Sequence, residues 1–158
     1  MRNNRLTDDL IYQSIRKGTV FFEAIEQTLK GKEIRMPNGL SFKDKEKIER
    51  TELRIKWWED PSLMTYKTIS LHPTDDLPEE SIDLSGLKEN DYYKNNDKSV
   101  FFGHYWLKAD QPSLFRQNIC CLDYSVANNG YLVAYRLDDE RILDEQKFIY
   151  VKKTPKTS

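Results

Sequence analysis

The chain has 158 residues, of which 38% are apolar, 12% aromatic and 32% charged; that is the size of one ordinary domain, and too aromatic for an intrinsically disordered chain. Lys and Arg number 25 against 26 Asp and Glu, a formal net charge of -1, so no basic excess draws the chain to a phosphate backbone and no nucleic-acid partner is expected. No apolar run approaches the roughly 18 residues of a membrane span, and no apolar stretch follows the basic residues at the N-terminus, so neither a membrane partner nor a secretory signal is expected.

The first 60 residues read as mainly helical. Thr7 followed by Asp8 and Asp9 is a helix start, with two carboxylates at the positive end of the helix dipole. Leu10, Ile11 and Ile15 then recur at helical spacing, and Lys17-Gly18 ends the segment. Thr19 caps a second helix with Phe21, Phe22, Ile25 and Leu29 on one face, closed by Lys30-Gly31. Met36-Pro37-Asn38-Gly39 is a turn by its residue types. Ile48, Ile55 and Trp58 predict a third helix over 44–58, although the alternation from Leu53 to Trp57 fits a strand equally well.

A short strand is expected from Tyr66 to Leu71. The stretch 74–98 is acidic, contains Pro78 and Gly86 and has few large apolar groups, so it reads as a solvated loop excursion. Residues 99–152 read as strands: Val100 to Phe102, Asn118 to Leu122, Tyr131 to Leu137 and Lys147 to Val151. Asn128-Asn129-Gly130 joins the second to the third as a hairpin turn, since these residues tolerate positive φ. The expected fold is therefore α+β in one domain spanning 1–158, with N-terminal helices followed by a mainly antiparallel sheet.

Three places carry candidate chemistry. Gly103-His104-Tyr105-Trp106 follows directly on the apolar strand at 100–102. A strand end can present an imidazole to a cleft, where it serves as metal ligand or proton carrier; the alternative is a structural His with Tyr105 and Trp106 as core aromatics. Arg50 and Arg54, four apart on the expected helix, would share one face and offer forked cations to a phosphate. The alternative there is ion pairing with Glu46 and Glu49. Cys120 and Cys121 are adjacent in an apolar strand, so their side chains point to opposite faces, no ordinary disulfide joins them, and they read as inert packing groups in a reducing, cytoplasmic compartment. His72, in Leu71-His72-Pro73, reads as a surface loop residue.

The order of features resembles a known family. Val100-Phe101-Phe102-Gly103-His104-Tyr105-Trp106, then Asn118-Ile119-Cys120-Cys121-Leu122-Asp123-Tyr124-Ser125, then Gly130-Tyr131-Leu132-Val133-Ala134-Tyr135-Arg136, resemble the last third of bacterial calcineurin-like metallophosphoesterases. That family includes protein Ser/Thr phosphatases and bis-nucleosyl tetraphosphatases. Trp58-Glu59-Asp60-Pro61 is similar to the Trp-x-Asp-Pro of the phosphatase branch. The resemblance covers about 99–137 and extends more loosely over 1–70.

The resemblance implies an α/β sandwich of which this chain is part. It implies His104 as one ligand of a two-metal centre of Mn, Fe or Zn that clamps a phosphate and activates a bridging water. It further implies Asp123 as a supporting residue near its strand end, and Arg50 or Arg54 as contacts to substrate phosphate. The family's Asp-x-His, Gly-Asp-x-x-Asp-Arg-Gly and Gly-Asn-His-Asp/Glu motifs precede its Gly-His pair, and none occurs in this sequence. The chain thus reads as a C-terminal portion that begins, at Met1, after those motifs would have ended. The metal is expected only if an N-terminal half completes the site, and a phosphorylated substrate only then. An exposed apolar surface is expected, closed by self-association or by a chain carrying the missing motifs. The competing reading is a non-enzymatic interaction module, or a partner subunit derived from the phosphatase fold.

Overall fold

The structure is a computed structural model that describes residues 5–44, 46–86 and 92–154. It is mixed α and β, with helices and small, mostly antiparallel sheets, and it divides into two compact units, 1–92 and 93–158.

In the first unit, helix α1 (Asp8–Ile15) starts where Thr7 Oγ1 accepts the Leu10 N–H at 3.3 Å, with Asp8 and Asp9 in its first turn. Helix α2 (Val20–Lys30) is capped by Thr19, which accepts the Phe22 N–H at 3.1 Å. It stops at Gly31, whose φ of 90° ends the helix while its N–H still donates to Gln27. Neither helix holds a fully buried residue. Ile11, Ile15 and Leu29 stay exposed, so the amphipathic stripes are only partly covered.

Beyond residue 30 the helical expectation fails. Residues 33–54 form β1 (Glu33–Arg35), β2 (Phe42–Lys43), β3 (Glu49–Arg50) and β4 (Glu52–Arg54). β1 pairs antiparallel with β4, setting Ile34 against Leu53, and β2 pairs antiparallel with β3. The third helix predicted over 44–58 is therefore a strand region followed by a turn. The two-residue period decided it: Leu53 and Ile55 go inward together, at 2% and 3% exposure, with Arg54 between them facing out. Burial of this pair against Met36, Phe42, Tyr66 and Ile69 outweighs helix propensity.

One further expectation reverses, and another is refined. The strand predicted from Tyr66 to Leu71 is a one-turn helix, α3 (Tyr66–Ile69), because Thr65 and Thr68 form a reciprocal capping box and Tyr66 and Ile69 bury on one side. The acidic stretch after residue 74 is pinned over its first part. Leu77 and Ile82 enter the core, the Tyr66 and Lys67 N–H groups donate to Glu80 and Pro78 carbonyls, and Lys67 Nζ meets Glu79 at 3.2 Å. Its acidic side chains point to water, but two apolar residues five apart anchor the backbone. Residues 87–91 of that stretch lie outside the described residues.

In the second unit, β5 (Val100–Phe102) pairs with β6 (Ile119–Cys121), and the pairing is parallel. This is the parallel exception to the mainly antiparallel arrangement expected, and the connection explains it: residues 103–118 are a crossover long enough to return the chain in the same direction. The chain then continues through β7 (Asp123–Tyr124), β8 (Tyr131–Tyr135) and β9 (Phe148–Lys152), which form an antiparallel sheet in the order β7-β8-β9. The turn from β7 to β8 passes through Ser125 and Asn129, both left-handed, to Gly130. A Cβ on Gly130 would fall 1.9 Å from the Tyr124 carbonyl oxygen, so only glycine fits. Cys120, Tyr124, Val133, Leu143 and Phe148 build the core of this unit.

The sheet is covered on one face only. Register places Leu132 opposite Val151 and Ala134 opposite Ile149, so these four share a face. Leu132, Ile149 and Val151 are 64%, 56% and 66% exposed. β9 is also an edge strand. Among the described residues no helix is long and apolar enough to cross a membrane.

Candidate functional site

The loop after β5 is held in an unusual conformation. His104 has a φ of 71° and Trp106 a φ of 50°, both in the left-handed region that residues with side chains avoid. Each costs on the order of 1–3 kcal/mol and persists only where surrounding structure enforces it. Between them Tyr105 points inward, 3% exposed, with its ring 4.7 Å from Phe102 and nearly edge-on. Phe102 in turn stacks on Phe115. The buried Tyr105 thus anchors the loop, and the residues on either side face solvent: His104 is exposed and Trp106 is 47% exposed.

Asp123 is the enforcing group. Its Oδ2 accepts the Trp106 N–H at 3.1 Å, its Oδ1 accepts the Ser125 N–H at 3.1 Å, and its carbonyl accepts the Leu107 N–H at 3.1 Å. Ser125 completes the clamp. It is 3% exposed and left-handed, and its Oγ donates to the Leu107 carbonyl at 3.0 Å. Gly103 sits close by, where a Cβ would lie 3.7 Å from that of Asp123, ordinary contact rather than a clash. The cross-links join the end of β7 to residues 106 and 107 and leave the His104 side chain outside them.

The sequence-predicted residues separate into two groups. His104 and Asp123 come together in the second unit. Arg50 and Arg54 lie in the first, on β3 and β4 rather than on one helix face, and each is engaged by a carboxylate. Arg50 Nε donates to Asp44 Oδ2 at 2.9 Å, and Arg54 meets Glu33 Oε1 at 3.1 Å. Asp44 is held below the usual carboxylate range, first by the Ile48 backbone N–H and also by Arg50. Ion pairing was the alternative reading for these arginines, but the acids identified are Asp44 and Glu33, brought close by strand pairing rather than helical spacing. His72 is half-buried in the first unit.

Cys120 and Cys121 are free and fully buried. Burial pushes their thiols up to about 12 and about 11, so neither is a nucleophile near neutral pH. Among the described residues, no group of three or more His, Cys, Asp or Glu side chains is placed to hold a metal ion. A divalent transition ion takes about four ligands, so the donors brought together among the described residues do not by themselves make up the two-metal centre that the resemblance implies.

Ser125 and Lys108 were not singled out by sequence reasoning. The signal for Ser125 was Asp-x-Ser, in which a carboxylate accepts the N–H two residues on and shapes a turn. Lys108 is exposed two residues beyond Trp106. No hydrogen bond or ion pair engages the side chains of His104, Trp106 or Lys108 among the described residues. Comparison with known proteins finds no family model, curated protein or solved structure that matches this chain.

Proposed function

We propose that this chain is the C-terminal segment of a calcineurin-like metallophosphoesterase, a metal-dependent phosphoester hydrolase, and that it is catalytically incomplete by itself. The observation that carries the reading is His104: a solvent-facing imidazole just beyond β5, without a protein partner among the described residues, on a left-handed backbone two residues before the Trp106 N–H that Asp123 holds. An imidazole that serves only packing has no need of such a backbone. Asp123 acts as the supporting residue rather than a ligand, because its carboxylate is already bonded to two backbone N–H groups. The remaining ligands would come from a separate segment or polypeptide carrying the family's Asp-rich motifs. Free, buried thiols are in keeping with a reducing, cytoplasmic setting.

The test is hydrolysis of p-nitrophenyl phosphate with Mn²⁺, by this chain alone and after mixing with a polypeptide that carries those motifs. Turnover is expected only in the mixture, with a loss of at least about 100-fold on His104→Ala. Metal-dependent turnover by the 158 residues alone would overturn the claim of incompleteness. If His104→Ala left turnover by the mixture unchanged, the assignment of His104 would fall instead.

One observation favours a second reading, that of a non-enzymatic interaction module. The exposed face of Leu132, Ala134, Ile149 and Val151 beside the β9 edge is the kind of surface that binding covers. Under this reading Leu132→Lys with Val151→Lys abolishes an association seen by sedimentation, while His104→Ala leaves it intact.

A further inference from the structure

We propose that β9 pairs with β9 of a second copy of this chain, antiparallel and centred on Tyr150, joining the two β7-β8-β9 sheets into one continuous sheet. The proposal rests on the interaction-module reading, whose partner it names, and does not depend on His104.

β9 ends the β7-β8-β9 order, so one of its two sides is unpaired. The Arg136 N–H donates to the Lys147 carbonyl and the Lys153 N–H to the Gly130 carbonyl, each at 3.0 Å. Bonds of an antiparallel ladder recur at every second residue. Ile149 and Val151 therefore turn their backbone groups to β8, and Tyr150 and Lys152 turn theirs outward. Among the described residues no backbone bond takes up the N–H of Tyr150 or of Lys152. The Phe148 N–H, by contrast, already donates to the Glu145 carbonyl. Native sheets shield such an edge with a charge, a proline or a bulge. Phe148 to Val151 carries none of these: its register against β8 runs without interruption, and Ile149, Tyr150 and Val151 are all exposed.

The strand also complements itself. With Tyr150 at the centre, each Tyr150 exchanges both of its backbone hydrogen bonds with the other. The Lys152 N–H meets the Phe148 carbonyl of the other copy, so nothing is asked of the Phe148 N–H that Glu145 already holds. On the open face Ile149 falls opposite Val151 of the other copy, an apolar cross-strand pair made twice. Charge fixes the direction. Asp144 and Glu145 stand before β9, and Lys152 and Lys153 stand at its end. Antiparallel copies bring the lysines of each toward the carboxylates of the other, whereas parallel copies set like beside like. An arbitrary extended segment could use the open backbone; a second copy matches the backbone, the apolar pair and both charged ends at once.

Sedimentation of the full chain between about 1 µM and about 1 mM is expected to show a monomer–dimer equilibrium. Over that range amide exchange at Tyr150 and Lys152 is expected to slow by at least about tenfold, and to slow less at Ile149 and Val151, which β8 already protects. Ile149→Glu and Val151→Lys change side chains that are exposed in the free chain, so each keeps the fold and weakens association about tenfold. Mixing the two variants restores it, because one glutamate then lies opposite one lysine. A chain that stays monomeric, exchange at Tyr150 and Lys152 that ignores concentration, or a mixture no tighter than either variant would overturn the pairing. An association that leaves those two amides fast but is lost on Leu132→Lys overturns the pairing alone and leaves the interaction reading standing. Slowed amides with Leu132→Lys inert uphold the pairing and refute coverage of the open face.

Discussion

Arg50 and Arg54 in the first unit and His104 in the second were all legible as candidate ligand-binding residues, but the two groups met different fates on folding. Strand pairing in the first unit brought Asp44 to Arg50 and Glu33 to Arg54, so both cations are already engaged. In the second unit the Asp123 carboxylate was spent on backbone N–H groups, and the His104 side chain stayed open among the described residues. The lesson is that a charged or aromatic residue becomes a candidate for binding only when tertiary pairing leaves it unspent. A carboxylate that binds backbone instead of a cation is what makes the difference here.

The largest expected effect comes from breaking the turn that delivers Asp123 and Ser125 to the loop. Gly130→Ala puts a methyl group where the Tyr124 carbonyl stands, so it should destabilise the chain by about 3 kcal/mol, read from the urea midpoint. Unchanged stability would mean the β7–β8 turn can relax, and the clamp would be looser than described. Next comes Asp123→Ala, which leaves the Trp106 and Ser125 N–H groups without their acceptor. A loss of about 2 kcal/mol is expected, with faster amide exchange at Trp106 and Ser125. Exchange as slow as in the wild type would show that Asp123 does not enforce the loop.

Arg50→Ala supplies the other side of the comparison. Its side chain is half exposed, and exposed pairs contribute little, so the melting midpoint should move by less than about 2 °C. A larger shift would show that the first unit depends on its ion pairs as the second depends on its clamp. The smallest effect at neutral pH belongs to the loop from 138 to 147. There Lys147 Nζ lies 3.0 Å from Glu140 and 3.1 Å from Asp138, and the Tyr135 hydroxyl donates to Glu140.

Although burial alone would raise it, Glu140 is pulled down to about 2 by the bonds from Lys147, from backbone N–H groups and from Tyr135. A depressed folded-state value means this stabilisation is complete above the ordinary carboxylate value near 4.5 and is lost as pH falls toward 2. Thermal melts between pH 5 and pH 2 should therefore show a decline that Glu140→Gln reduces. An identical decline in the variant would assign the acid sensitivity to other carboxylates.

Much of the local structure was written in short sequence signals. Thr7 and Thr19 marked both helix starts, Gly31 marked a helix end, and Asn129-Gly130 marked the turn between β7 and β8, because caps and turns are decided by a few residues acting on their own backbone. The apolar runs around Val100, Cys120, Tyr131 and Phe148 became strands for a similar reason: their side chains suit a pleated, buried surface. His104 and Asp123 were likewise visible as candidates, one by its place at a strand end and the other by the family resemblance.

What the chain could not reveal locally depended on partners distant in sequence. Whether 44–58 formed a helix or strands turned on Ile34 lying opposite Leu53, a pairing that spans the intervening β2 and β3. The parallel setting of β5 and β6 turned on where the crossover of 103–118 returned. Whether Arg54 was available to a ligand depended on Glu33, 21 residues away. Sequence alone determined the helix starts, the turns and the strand-forming runs, since those energies are local. Only the tertiary structure decided which side chains were consumed by pairing and which, as at His104, remained without a partner among the described residues, because hydrogen bonding and burial are settled between segments and not within them.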